Sequence, residues 1–188
     1  NISEKFYSTK FFKYMPPTIL TKDINKIKIF YKKYKKIVIK PIHGYAGKGI
    51  LFLNNTFKKK EISKLLHKNG HAMVQKFLPN VKKGDKRVFI INGKVCGAIR
   101  RIPSKNSILS NISQGGTAVK TTLNSKQNKI SSIIAKDLLK NKIYFAGIDF
   151  VSNYLIGDIN VTSPTGLPQY KELTGINLGE TFWDSLEN

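Results

Sequence analysis

Hydrophobic and polar positions along this chain repeat with two periods, and the switches between them mark its elements. From Lys22 to Lys35 apolar residues return at helical spacing (Ile24, Ile27, Phe30, Tyr31, Tyr34), with Thr21 or Asp23 placed to cap the first turn. Ile37 to Lys40 reads as a short buried strand ending at Pro41. The glycine-rich run His43-Gly-Tyr-Ala-Gly-Lys-Gly-Ile50 then closes into an apolar strand, Ile50 to Leu53. Helical spacing resumes over Lys60 to Lys68, and Ala72 to Gln75 reads as another strand. Arg87 to Ile91 and Lys94 to Ile99 flank Asn92-Gly93, a strong short signal for a hairpin. A polar loop covers Pro103 to Thr117. Ser125 to Lys140 carries a helical stripe (Ile130, Ile133, Ile134, Leu138), and Tyr144 to Val151 with Tyr154 to Val161 predicts a second hairpin about Ser152-Asn153.

This order predicts an α+β protein with mostly antiparallel sheets. A dip in apolar composition from Leu78 to Gly84 divides it, giving expected domains of 1–77 and 78–188. There is no internal repeat and no run of about 18 apolar residues such as a membrane helix needs. The start has neither an initiator Met nor a signal-peptide layout, so the chain is expected to be part of a longer protein. One cysteine excludes an internal disulfide and fits a reducing cytoplasm; on an apolar strand, Cys96 reads as a small core residue.

The formal charge of +22 raises the question of nucleic acid. Of the 33 basic residues only Arg87, Arg100 and Arg101 are arginines. The lysines are scattered, with short runs at 32–33, 35–36 and 58–60 and no aromatic stacking signature. A solvated basic surface accounts for this better than a nucleic-acid site, and it would also welcome a small anion. His43, His67 and His71 do not form a metal set, because Asn69-Gly70 breaks the helix that would align the last two.

Two stretches carry candidate chemistry. With Ser152-Asn153 as a two-residue turn, Asp149 falls opposite Ile156, and Asp149, Asp158 and Asn160 share one face. Two carboxylates and an amide oxygen are hard ligands suited to Mg²⁺; the same residues are equally what a polar strand edge presents. The glycine run leads to a strand, so it is neither a Walker loop nor a dinucleotide fingerprint. Gly44, Gly47 and Gly49 still allow backbone amides to approach a phosphate, with Lys40 behind them. An ordinary glycine hairpin has the same appearance.

In combination the motifs say more. Lys-Pro-x-x-Gly-x-x-Gly from Lys40, Phe77-Leu78-Pro79, Gly84-Asp85-Lys86-Arg87, a helix, Gly147-Ile148-Asp149 and the run Asp158 to Pro164 come in an order that resembles the ATP-grasp ligases. The resemblance covers essentially the whole chain. More narrowly it is similar to the bacterial glutathione synthetases, whose carboxyl-terminal two-thirds carries these motifs. Asn160 to Gly166 is the most specific part, since other ATP-grasp ligases share the acid-x-Asn pair without Thr-Ser-Pro.

The resemblance implies two α+β subdomains clasping ATP, the smaller (1–77) with a glycine lid and the larger (78–188) with the metal and substrate site. It assigns Lys5, Lys40, Gly44, Gly47 and Gly49 to the phosphates, the backbone of Gln75, Lys76, Phe77 and Leu78 to adenine, and Asp85 to the ribose. It makes Asp149, Asp158 and Asn160 ligands of Mg²⁺, or of Mn²⁺ in its place. Arg87 and Arg101 fall to the transferred phosphate and acyl group, and Ser163, Thr165, Gly115 and Gly116 to the substrate. The implied reaction joins γ-glutamylcysteine and glycine through an acyl phosphate, releasing ADP and phosphate, in a cytoplasmic homo-oligomer with no membrane or nucleic-acid partner. The sequence departs from the family in having Asp158 for Glu, a hairpin one residue longer, and Leu109 and Thr117 for arginines. The family's amino-terminal domain is not among these residues. Another ATP-grasp carboxylate–amine ligase, or a non-catalytic nucleotide- or nucleic-acid-binding module, would use the same features.

Overall fold

Two antiparallel sheets organise the chain, one in each of two units, Asn1–Pro79 and Asn80–Asn188. The computed structural model describes residues 4–43, 49–104, 112 and 115–187.

The first unit opens with a short helix, α1 (Glu4–Tyr7), that runs into a 3₁₀ segment (Ser8–Tyr14) and then strand β1 (Thr18–Thr21). These three carry no clear period in the sequence. Helix α2 (Ile24–Tyr34) starts where Asp23 accepts a hydrogen bond from the Asn25 N–H, as a cap should. Strands β2 (Ile37–Pro41) and β3 (Leu51–Leu53), helix α3 (Lys59–Asn69) and strand β4 (Ala72–Lys76) follow, and the sheet order is β1-β4-β2-β3. Ile27 and Phe30 of α2 and Ile62 and Leu65 of α3 bury against Ile37, Ile39, Leu53, Ala72 and Val74. Alternation along β2 and β4 then turns Lys40, Met73 and Gln75 to the other face, where all three are buried.

The second unit's sheet has the order β7-β6-β5-β8-β9, from β5 (Asp85–Ile91), β6 (Lys94–Ile102), β7 (Thr117–Lys120), β8 (Phe145–Val151) and β9 (Tyr154–Asn160). Asn92 and Gly93 both have positive φ (44° and 73°), as a tight hairpin turn requires. Helix α4 (Ser125–Lys140) begins with a reciprocal capping box between Asn124 and Gln127 and covers one face of the sheet. Its Ile130, Ile134 and Leu138 are buried, whereas Ile133, predicted to share the stripe, is exposed. Helices α5 (Leu167–Thr174) and α6 (Leu178–Glu187) add a layer for which the sequence offered no prediction. Tyr170 and Leu178 form a core there with Phe89, Ile91 and Ile99. No helix is long and apolar enough to cross a membrane among the described residues.

Two glycines of the same backbone class separate conformation from packing. Gly166, with φ 110°, begins α5, and a Cβ there would lie 2.8 Å from Ile99 Cδ1; Gly175, with φ 79°, ends α5 with nothing within 4 Å. Gly166→Ala is expected to cost about 2–3 kcal/mol and Gly175→Ala about 1 kcal/mol, read by denaturant unfolding. Equal losses would mean that close packing at Gly166 contributes nothing.

Candidate functional site

Alternation along β5 sends Asp85, Arg87 and Phe89 to one face, and the register sets Arg101 and Asp149 beside them (Asp85↔Arg101, Arg87↔Asp149). All four charged residues are buried. Arg87 donates from Nε to Asp149 Oδ1 at 2.5 Å and from Nη2 to Oδ2 at 2.8 Å. Arg101 grips Asp85 in the same forked way, at 2.7 and 2.9 Å, and its Nη2 also lies 3.0 Å from Asp149 Oδ2. Two carboxylates thus share two guanidiniums in a bidentate geometry that suits arginine and not lysine. Burial alone would raise Asp149, but the charges of Arg101 and Arg87 and their hydrogen bonds outweigh it and bring the carboxyl down to about 2. For Asp85 burial prevails over the opposing charge of Arg101, Asp149 adds to the upward push, and the result lies above the ordinary value. Burial would also lower Arg101; the two carboxylates raise it instead.

The second hairpin supplies oxygen donors. Val151↔Tyr154 and Phe150↔Leu155 pair as a two-residue turn requires, but the register then jumps to Ile148↔Ile159 and Gly147↔Asn160. Asp149 therefore does not pair simply with Ile156. Three residues, Ile156 to Asp158, span the place opposite it, with Gly157 at φ 93°. Because the bulge adds two residues, the faces stay in phase, and Asn160 arrives beside Gly147, two residues from Asp149. Asn160 Nδ2 donates to the Gly147 carbonyl at 3.0 Å, which commits the amide's nitrogen and leaves its oxygen as the available donor to a cation. Asp158 Oδ1 is buried and takes no hydrogen bond, although the residue keeps other interactions. Asp149 Oδ2 already accepts two hydrogen bonds and Oδ1 one, so of about four lone-pair positions a single one on Oδ1 remains. The donor set fits a hard cation held by few protein oxygens, with phosphate and water completing its shell. No cluster of three His, Cys, Asp or Glu side chains forms among the described residues.

The segment after β9 is anchored to the same network. Arg87 Nη1 donates to the Thr165 carbonyl at 3.2 Å. Pro164 and Gly166 are buried and Ser163 and Thr165 exposed, so the hydroxyls face outward from a fixed backbone. A Cβ on Gly147 would lie 2.9 Å from Arg87 Cδ and 3.0 Å from Pro164 Cβ, which explains the glycine two residues before Asp149.

The remaining assignments distribute unevenly. In the first unit Lys5 and Lys40 are buried, and the Gln75 side chain donates to Thr18 Oγ1 at 3.0 Å. The Lys76 and Phe77 N–H groups are given to the carbonyls of Pro17 and Lys36, whereas the Leu78 N–H is donated to no backbone carbonyl among the described residues. Gly49 lies in a turn at φ 74°; Gly44 and Gly47 fall outside the described residues, as does Leu109. Gly115 is an exposed turn glycine, and Gly116 leads into β7. Asp85, expected beside a ribose, is buried with both oxygens held by Arg101. Likewise Arg87 and Arg101, expected at the reacting groups, sit 4% and 2% exposed and grip carboxylates. The Arg87 bond to Thr165 escaped sequence reasoning, since no local pattern signals a contact 78 residues apart.

The family model for the prokaryotic glutathione synthetase ATP-grasp domain matches residues 4–175. The glutathione synthetase of a Synechocystis strain is 40% identical over 182 residues, covering 95% of this chain and 56% of the relative. That of Mesorhizobium japonicum is 35% identical, covering 100% and 60%. The chain thus spans less than two-thirds of the length of these relatives. Among solved structures, the ATP-grasp ligase PsnB complexed with minimal precursor, Mg and ADP superposes with a TM-score of 0.68 at 14% identity, over 100% of this chain and 60% of that one. D-alanyl-alanine synthetase A from Vibrio cholerae gives 0.64 at 13%, over 99% and 66%. At such identities these two show the shared ATP-grasp fold.

The four-residue network predicts an order of protonation. Asp149 is depressed when folded, so its contribution to stability is complete above the ordinary carboxyl value of 3.8 and is lost as pH falls through about 2. Asp85 is raised, so the folded state takes its proton first and gains on the unfolded state as pH falls through that higher value. Carboxyl ¹³C shifts followed against pH should show Asp85 titrating before Asp149; the reverse order would contradict the assigned pairing.

Proposed function

The chain belongs to the prokaryotic glutathione synthetase ATP-grasp family, and from that premise we propose that it supplies the nucleotide, metal and acyl-substrate site of an ATP-dependent ligase forming glutathione from γ-glutamylcysteine and glycine. The observation that supports this is the Asn160 amide, whose nitrogen donates to the Gly147 carbonyl and so leaves its oxygen to serve with Asp158 and Asp149 as the ligand set of the reading. Mg²⁺ held there would supply positive charge to the phosphate oxygens of ATP.

The chain's own residues have three tasks. Buried Lys5 and Lys40 bring cationic charge to the phosphates, and the Leu78 N–H meets the adenine edge. Arg87 is a positioning residue: one guanidinium orients Asp149 and holds the Thr165 carbonyl, so the oxygen donors and the acyl-binding turn keep one geometry. Ser163 and Thr165 offer hydroxyls to the γ-glutamyl end. In the reaction a γ-glutamylcysteine carboxylate oxygen attacks the γ-phosphorus, the bond to the bridging oxygen breaks, and ADP leaves. The glycine amine then attacks the acyl carbon, loses a proton, and phosphate departs. Charge builds first on phosphoryl oxygens and then on a tetrahedral oxygen, so cations and amide donors meet the need without a nucleophilic side chain. A single, half-buried cysteine whose thiol burial raises is consistent with a cytoplasmic setting.

ADP release by the protein carrying this chain should require Mg²⁺, γ-glutamylcysteine and glycine together. Release at the same rate with a different acyl or amine substrate would replace the glutathione reading with another ATP-grasp ligase. Asp158→Asn should lower turnover about 10²-fold and weaken Mn²⁺–ADP binding in electron paramagnetic resonance, whereas Asp158→Glu keeps both. Unchanged Mn²⁺ binding in Asp158→Asn would remove that residue from the metal site.

A further inference from the structure

The opposite face of the second sheet holds a feature that this reaction does not use. Lys86 lies between Asp85 and Arg87 on β5, and Arg100 precedes Arg101 on β6, so both point away from the Asp149 network, and they pair directly across the strands. Like charges set opposite one another in a sheet are destabilising. Here they line a cleft of about 310 Å³ together with Lys83, Asn124, Gln127 and Ser152, and among the described residues no acidic side chain lines it.

The cations are held by neutral groups. Lys86 Nζ donates to the Thr122 carbonyl at 2.7 Å and to Gln127 Oε1 at 3.1 Å. Arg100 Nε donates to the Lys83 carbonyl at 3.0 Å. Among the described residues none of Lys83, Lys86 and Arg100 forms an ion pair. Gln127 is itself fixed, donating to the Ser152 carbonyl and accepting from the Asn124 N–H, so the wall is rigid. Scattered lysine enrichment does not explain this: Arg100 is one of three arginines, and the other two are committed to the buried network.

We propose that this cleft is a second anion site, separate from the nucleotide site, that takes a small multivalent oxyanion of the phosphate type. Such a ligand would stand between Lys86 and Arg100, turn their repulsion into attraction to a shared partner, and receive the guanidinium donors not used by Lys83. Burial, and then the charge of Arg100, push Lys86 below its ordinary value, which an anion in the cleft would reverse.

Inorganic phosphate is the probe, titrated calorimetrically into the chain at constant ionic strength with the Mg²⁺-loaded, non-hydrolysable ATP analogue present at saturation. Saturable binding is expected, weakened about tenfold or more in Arg100→Gln and left within about twofold in Lys129→Gln, a charge-matched control outside the cleft. Circular dichroism checks that Arg100→Gln is folded; if it is not, Lys83→Gln, on an exposed side chain, takes its place with a smaller expected loss. Phosphate binding that the analogue abolishes would belong to the nucleotide site and overturn the proposal. Equal binding by the cleft and control variants would overturn it as well, by showing only diffuse attraction to a basic surface.

Discussion

Everything in the second unit's site depends on two carboxylates sharing two guanidiniums out of contact with water. Burying four charges is expensive, and the mutual attraction recovers that cost only when geometry is good and the remaining donors and acceptors are satisfied. Here forked contacts meet the condition for both pairs, and Arg101 joins them into one network. An apolar replacement could match it in stability but could not aim a carboxylate. The network is best understood as positioning, since it sets Asp149 at a fixed angle and leaves one acceptor position on it open.

The same constraint explains the surroundings. Gly147 has no room for a Cβ because Arg87 and Pro164 close over it, and the Thr165 carbonyl is held by the same guanidinium that grips Asp149. A displacement of the turn would thus be felt at the carboxylate, and the reverse. Coupling of this sort needs no moving part, only a side chain with two obligations.

Much of the architecture was legible in residue order. Helices α2, α3 and α4 show their period, and Asn92-Gly93 announces its hairpin. Helix α5 was not legible, being only eight residues long, whereas α6 is amphipathic and its stripe was missed. Nor were the mutual contacts of Arg87, Arg101 and Asp85. Sequence motifs place these residues near a reaction, yet only long-range pairing reveals that they hold one another. Register was the deeper obstacle. A turn predicts the pairing near it, and that pairing fails at the first bulge, which only a glycine within the strand, Gly97 or Gly157, accompanies.

Those two bulges differ in a way that bears on how this sheet can change its length. In the first hairpin Ile90 pairs with Val95 but Phe89 with Gly97, so Cys96 is a single extra residue. Were Cys96 paired in regular register and not bulged, Arg100 would stand opposite Asp85, and Arg101 would face α4. The second bulge adds two residues and preserves the faces. The sheet therefore obeys a parity rule. Gaining or losing residues in pairs between turn and site slides a strand while keeping its sides, but an odd change exchanges inside for outside unless a bulge takes up the extra residue. An odd change can keep the sides only where a bulge absorbs it, and the lone residue at 96 is such a bulge, on which the choice between two neighbouring arginines rests.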